Sequence, residues 1–206
     1  WEGREGETTP VFVYTNHPTV ELFINGVSQG KRTKETSIGI DSTFTEEAQK
    51  DFERQKRYRL MWMDTKYEPG TVKAVAYDAN GNEMGTEEVH TAGEPHSLVL
   101  EADRNKIKAD GKDLSFITVS VVDKDGNLCP HADDLVKFNV KGKGTYRAGA
   151  NGNSASLDLF HEPQMHFFSG QLTAIVESLE NEAGTITLEA SANGVKAATI
   201  DIETTL

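Results

Sequence analysis

Val20-Glu21-Leu22-Phe23-Ile24-Asn25-Gly26 is the stretch on which the reading of this chain turns. Successive side chains of an extended strand point to opposite sides, so Val20, Leu22 and Ile24 share one face while Glu21, Phe23 and Asn25 take the other. That is the pattern of a half-buried strand. Asn25-Gly26 follows at once, and these residue types accept the positive φ that a type I′ turn demands at both central positions. The expectation is a hairpin that returns through Val27-Ser28-Gln29-Gly30-Lys31.

Working outward, extended segments read at residues 11–15, 58–63 and 72–77, the last closed by the turn Asp78-Ala79-Asn80-Gly81-Asn82. Residues 91–97 combine Gly93 and Pro95 without apolar periodicity and read as a connection. A second series then begins. Leu98/Leu100/Ala102, Ile117/Val119/Val121, Val136/Phe138/Val140, Leu172/Ala174/Val176, Ile186/Leu188/Ala190 and Ala198/Ile200/Ile202 each alternate with other residues. Six such strands suffice for a sandwich. The two halves share a hairpin solution, VKAVAYDANGNE in the first and TVSVVDKDGNL in the second. All six prolines fall outside the strand interiors, as ladder bonding requires.

The expected fold is all-β, with two tandem immunoglobulin-like β-sandwich domains. Residues 1–9 read as a linker from a preceding domain, 10–92 as the first sandwich, 93–95 as a linker and 96–206 as the second. Residues 43–57 break the pattern, with a Thr-x-x-Glu capping box at Thr43 and Glu46 and an Ala48/Phe52 pair. A short surface helix or excursion between strands is expected there, its narrow apolar stripe docking on its own domain rather than on a partner.

Composition narrows the function. The 36% hydrophobic and 26% charged residues suit an ordinary globular protein, and no apolar run approaches the roughly 20 residues of a spanning helix. Net charge is −12, and both halves are acidic, with 11 Lys+Arg against 16 Asp+Glu before Gly93 and 10 against 17 after it. Nucleic-acid binding, which rests on clustered cations, is disfavoured. The single cysteine, Cys129, excludes an intrachain disulfide and a multi-cysteine metal site. Trp1 stands in the polar stretch WEGREGETTP, with no start Met and no signal-peptide core, so the chain looks excised from a longer one.

Candidate chemistry is sparse. The acidic residues sit in turns (Asp78, Asp123, Asp125) or on polar strand faces (Glu21, Glu189, Asp201), where solvation explains them. Asp123-Lys-Asp125-Gly-Asn127 begins like an EF-hand loop, but Leu128 takes the place of the required Gly and Asp134 that of the bidentate Glu, so a hairpin turn is favoured. None of the six histidines pairs as His-x-x-x-His. His161 and His166 flank Phe160 and Phe167-Phe168, a cluster expected to close the end of a core. Trp62 shares a strand face with Leu60 and Tyr58, which makes burial its default, yet sugars stack on exposed aromatic rings. Trp62 and Tyr67 are therefore the candidate carbohydrate-binding residues. No catalytic residue, metal ligand or cofactor motif is assigned.

These segments also carry a resemblance. Glu21 to Gly26 (ELFING), Glu68 to Tyr77 (EPGTVKAVAY), residues 109–126 and Asn151-Gly152-Asn153 resemble the C-terminal β-sandwich region of bacterial glycoside hydrolase family 2 enzymes, especially β-galactosidases of the gut Bacteroides type. The likeness runs over nearly the whole chain and departs at residues 43–57 and at Ser154, where Pro is common. It implies a sugar-binding domain, an immunoglobulin-like domain and a TIM barrel upstream, with both catalytic glutamates in the barrel and no catalytic role in this chain. Implied partners are those upstream domains, with carbohydrate or a homo-oligomer of the parent as further options, and no nucleic acid or membrane insertion. The implied role is to buttress the barrel, extend the rim of its substrate opening or supply a subunit interface. The implied location is periplasmic or extracellular. Two alternatives stay open: a carbohydrate-binding module, and a segment of an invasin-like adhesin, which ADGKDLSFITVSVVDKDGN in the second half also resembles.

Overall fold

The computed structural model describes residues 1, 3–34, 45–47, 50, 51, 54 and 57–206. The chain is all-β and divides into two units, Trp1–Thr91 and Ala92–Leu206.

The first unit contains β1 (Val11–Tyr14), β2 (Thr19–Ile24), β3 (Val27–Thr33), β4 (Arg59–Trp62), β5 (Thr71–Tyr77) and β6 (Glu83–His90). The β2–β3 hairpin turns at Asn25 and Gly26, whose φ values of 49° and 78° are those of the type I′ turn. One sheet runs in the order β3-β2-β5-β6, and β1 pairs with β4 in a second. The alternation in β2 decides what lies between them. Val20 and Leu22 bury completely against Leu60 and Trp62, with Val11, Val13, Val72, Ala74 and Ala76 packed around them. Tyr58, read as a third residue on that face, precedes β4 and is exposed.

Residues 6–9, expected in a linker, run beside residues 65–67. The Gly6 N–H donates to Tyr67 O at 2.8 Å, Tyr67 N–H to Glu7 O at 2.9 Å and Thr9 N–H to Thr65 O at 2.8 Å. In the segment 43–57, Glu46, Glu47, Lys50, Asp51 and Arg54 are helical, whereas Thr43, Ala48 and Phe52, which carry the capping box and the apolar pair, lie outside the described residues.

The second unit has nine strands: β7 (Ser97–Ala102), β8 (Lys106–Lys108), β9 (Leu114–Val122), β10 (Leu135–Gly142), β11 (Gly144–Ala150), β12 (Gln164–His166), β13 (Gln171–Ser178), β14 (Gly184–Ser191) and β15 (Ala198–Thr205). They form two sheets, β12-β10-β14-β15-β8 and β11-β13-β9-β7, antiparallel except where β15 meets β8. Period-two alternation fills the space between them. Ile117, Val119, Leu172, Ala174 and Val176 come from one sheet, and Val136, Phe138, Ile186, Leu188 and Ile202 from the other. The aromatic cluster expected to close this core is divided. Phe167 is buried, but Phe160 and Phe168 face solvent. A strand places alternate residues on opposite sides, and Phe167 and Phe168 continue from β12 in that way.

Candidate functional site

The two residues chosen for sugar stacking do not form a platform. Trp62 is 1% exposed. Its indole N–H donates to Gln29 O at 3.1 Å, and the Arg32 guanidinium lies 5.3 Å from its ring centroid. A ring sealed in this way presents no face to a ligand, which removes Trp62 as a sugar-stacking residue; the default burial of its strand face is what the sequence obeys. Tyr67 is half-buried beside Trp1, with ring centroids 6.1 Å apart and tilted by 44°.

Where aromatic and polar groups do converge is the outer face of the β3-β2-β5-β6 sheet. A groove of about 760 Å³ is lined there by Phe23, Lys73, Val75, Tyr77, Glu83 and Glu88, among others. Register builds it: Phe23 pairs with Lys73, Lys73 with Glu88 and Glu21 with Val75, so these side chains share the face opposite the core. Lys31 Nζ sits 3.9 Å over the Tyr77 ring centroid. Glu83 accepts the Thr86 hydroxyl at 2.9 Å, and Glu88 lies 3.2 Å from His90 Nε2. Both carboxyls stand on β6, every residue of which is exposed. The groove is thus wet along one wall, whereas acid–base chemistry draws its strength from a site that excludes water. Phe23 was legible as a member of the non-core face, whereas Tyr77 was read only as the end of a strand. What hid the groove is that β6, which completes the wall, has no apolar alternation.

The two Asp-x-[Asn/Asp]-Gly-Asn turns use their first carboxylate in the same way. Asp78 Oδ1 accepts the N–H groups of Asn80 and Asn82, each at 2.8 Å, and Asp78 Oδ2 the Asn82 side-chain amide at 2.9 Å. Asp123 Oδ1 accepts the N–H groups of Asp125 at 2.9 Å and Asn127 at 2.8 Å, and its Oδ2 the Asn127 amide at 3.0 Å. Asp123 also takes the Gly93 N–H at 2.7 Å, so the residues first read as a linker, 93–95, are tied to this turn. Oxygens already facing N–H donors are poorly placed to face a cation, which explains why the calcium-like spacing is a hairpin. Among the described residues, no group of three or more His, Cys, Asp and Glu is arranged to hold a metal ion, and no helix is long and apolar enough to cross a membrane. Cys129 is buried beside this turn; burial pushes its thiol pKa up, and the nearby Asp123 and Glu94 charges add to the effect.

A pH dependence follows from Asp123. The Gly93 N–H, the Asn127 amide and the N–H groups of Asn127 and Asp125 hold its carboxyl well below the usual carboxylate range. With the folded value under an unfolded one of about 3.9, its contribution is complete above the unfolded pKa and disappears as pH falls through the folded one. Asp123→Asn should therefore be less stable than the parent at pH 7, and the difference should shrink steadily on acidification below about pH 5. Urea unfolding of both proteins at pH 7 and pH 3 measures it; a gap that ignores pH would refute the assignment.

Two consecutive immunoglobulin-like β-sandwiches, with an open groove and carboxylates largely committed to turns and surface pairs, define this chain as a tandem of all-β modules. The family follows from its sequence: the chain belongs to the glycoside hydrolase family 2 C-terminal domains. Residues 98–201 match glycoside hydrolase family 2 C-terminal domain 5, and residues 6–85 match a domain family of unknown function, DUF4982. A β-galactosidase of Bacteroides ovatus is 34% identical over 203 residues, which are 98% of this chain and 21% of that protein. A β-galactosidase of Thermoanaerobacter pseudethanolicus is 30% identical over 135 residues, 65% of this chain and 17% of that protein. Among solved structures, a glycosyl hydrolase family 2 member from Bacteroides cellulosilyticus superposes with a TM-score of 0.82 at 33% identity, covering 98% of this chain and 25% of that one. A β-glycosidase from Bacteroides vulgatus does so with a TM-score of 0.80 at 28% identity, over 98% of this chain and 23% of that one. The chain thus spans 21% and 17% of the length of the two β-galactosidases.

Proposed function

We propose that this chain is the non-catalytic C-terminal part of a β-galactosidase-like retaining glycoside hydrolase, and that its two units act as structural and interaction modules for an upstream TIM barrel that carries the reacting glutamates. The observation that supports this most is the likeness to the B. ovatus β-galactosidase, which takes in 98% of this chain but 21% of the enzyme. The geometry agrees, since the carboxylates in the groove are solvated on an exposed strand rather than opposed across a closed cleft. A periplasmic or extracellular location belongs to the same reading and rests on the resemblance alone. The pure 206-residue chain is expected to release no chromophore from a nitrophenyl β-galactoside above the buffer rate. Turnover by the chain on its own would overturn the reading. So would an upstream gene sequence made of repeated copies of the second unit instead of a barrel, which would point to an adhesin.

A further inference from the structure

Polarity is inverted in the loop that joins β11 to β12. Its polar side chains Asn151, Asn153, Ser156 and Asp158 are half-buried, while Leu157, Leu159 and Phe160 are 94%, 57% and 64% exposed. Water ordinarily selects the opposite arrangement. Nor is this a slack segment, because hydrogen bonds fix it along its length. The Asn151 amide donates to His166 O at 3.0 Å, and Asn153 Oδ1 accepts the Ala155 N–H at 2.9 Å. Asp158 accepts the His166 backbone N–H at 2.9 Å and lies 3.1 Å from the ring nitrogen of the same residue. Phe160 O accepts the Gly149 N–H at 2.8 Å. The polar residues are spent on holding the loop's shape, and the shape holds the large apolar side chains out.

The size of the patch bears on what covers it. At roughly 200 Å² for a large side chain, the three expose on the order of 400 Å², the scale at which apolar patches mark interaction sites. A stable interface between separate proteins takes about 800 Å² from each partner. A tethered neighbour needs less, because the covalent link holds it at an effective concentration in the millimolar range. The family's architecture supplies such a neighbour: the chain corresponds to 21% of its B. ovatus relative and 25% of the B. cellulosilyticus structure, so most of each lies outside the matched region. We infer that this loop is a docking knuckle, its Leu157, Leu159 and Phe160 covered by an apolar recess on the preceding part of the same polypeptide. The inference rests on the proposed function and names a surface through which that function acts.

Solvent reactivity in the full-length polypeptide tests it. Leu157→Cys, Leu159→Cys and, as an exposed reference in the turn between β14 and β15, Asn193→Cys are made singly, and alkylation by iodoacetamide is timed. Cys129, buried at 4% exposure, contributes a slow background. Positions 157 and 159 are expected to react about tenfold or more slowly than position 193 in the native protein, with all three rates converging in urea. Native rates within about threefold of the reference at both loop positions would overturn the inference. Protection that vanishes on dilution, together with a dimer-to-monomer transition in sedimentation, would overturn it too, in favour of a second copy. A gene that encodes no preceding domain defeats both the docking and the proposed function, whereas preceding domains beside an unprotected loop defeat the docking alone.

Discussion

Trp62→Ala is expected to remove about 3–5 kcal/mol from the stability of the first unit, enough to leave much of it unfolded at 37 °C. The side chain stands among Val20, Leu22 and Leu60, with which it makes up the fully enclosed centre of that unit. Among the described residues the cluster around it is small, with few neighbours able to collapse into the space an indole leaves. The variant also strips the hydrogen-bond donor from Gln29 O and the ring from beneath Arg32. Trp62→Phe should keep most of the packing and lose only that bond and some volume, at about 1–2 kcal/mol. Urea titration of both variants by near-ultraviolet circular dichroism reads the difference. A loss below about 1 kcal/mol for the alanine variant would mean that the indole is not a core residue.

Gly170→Ala should be nearly as damaging to the second unit, at about 4 kcal/mol, from two sources that add. The residue has φ +74°, and a methyl group on it would meet Cys129 O at 2.2 Å. Retreat is blocked on both sides: the Gly170 N–H donates to Ala132 O at 3.1 Å, and its carbonyl accepts the Val121 N–H at 2.9 Å. Gly152→Ala separates the two contributions. That residue has a similar φ of +76° with nothing within 4 Å of the added carbon, so it bears the backbone cost alone, about 1 kcal/mol. Thermal unfolding of the two variants side by side should show a large fall in midpoint for Gly170 and a small one for Gly152. Equal shifts would mean that the contact with Cys129 relaxes freely.

How much of this was legible in the sequence depended on whether a strand had one wet face and one dry one. β2, β9, β13 and β14 do, and their alternation placed Leu22, Val119, Ala174 and Leu188 in the cores before any coordinates were needed. β6 is exposed throughout, so Glu83–His90 carries no periodicity to read. β11, rich in glycine and interrupted by a register shift between Tyr146 and Ala148, is hidden for a related reason. β8 and β12 are three residues each, too short for a period to emerge. As for the candidate site, alternation correctly put Phe23 outside the core, but it could not show that Lys73, Tyr77 and Glu88 from two later strands would wall a groove beside it. The knuckle defeated the reading differently. Phe160 was expected to help close the end of a core, and only the bonds made by Asn151, Asn153 and Asp158 reveal that its loop is held the other way out.

The position of β15 has a consequence for how the second unit comes into being. It lies between β14 and β8, pairing antiparallel with one and parallel with the other, and it carries the wholly enclosed Ile202. Until residues 198–205 have left the ribosome, β8 therefore has no partner in that sheet and the layer cannot close. The described strands of the first unit, β1 to β6, have their sheet partners within residues 11–90, so those sheets can pair during translation while the second unit waits for β15.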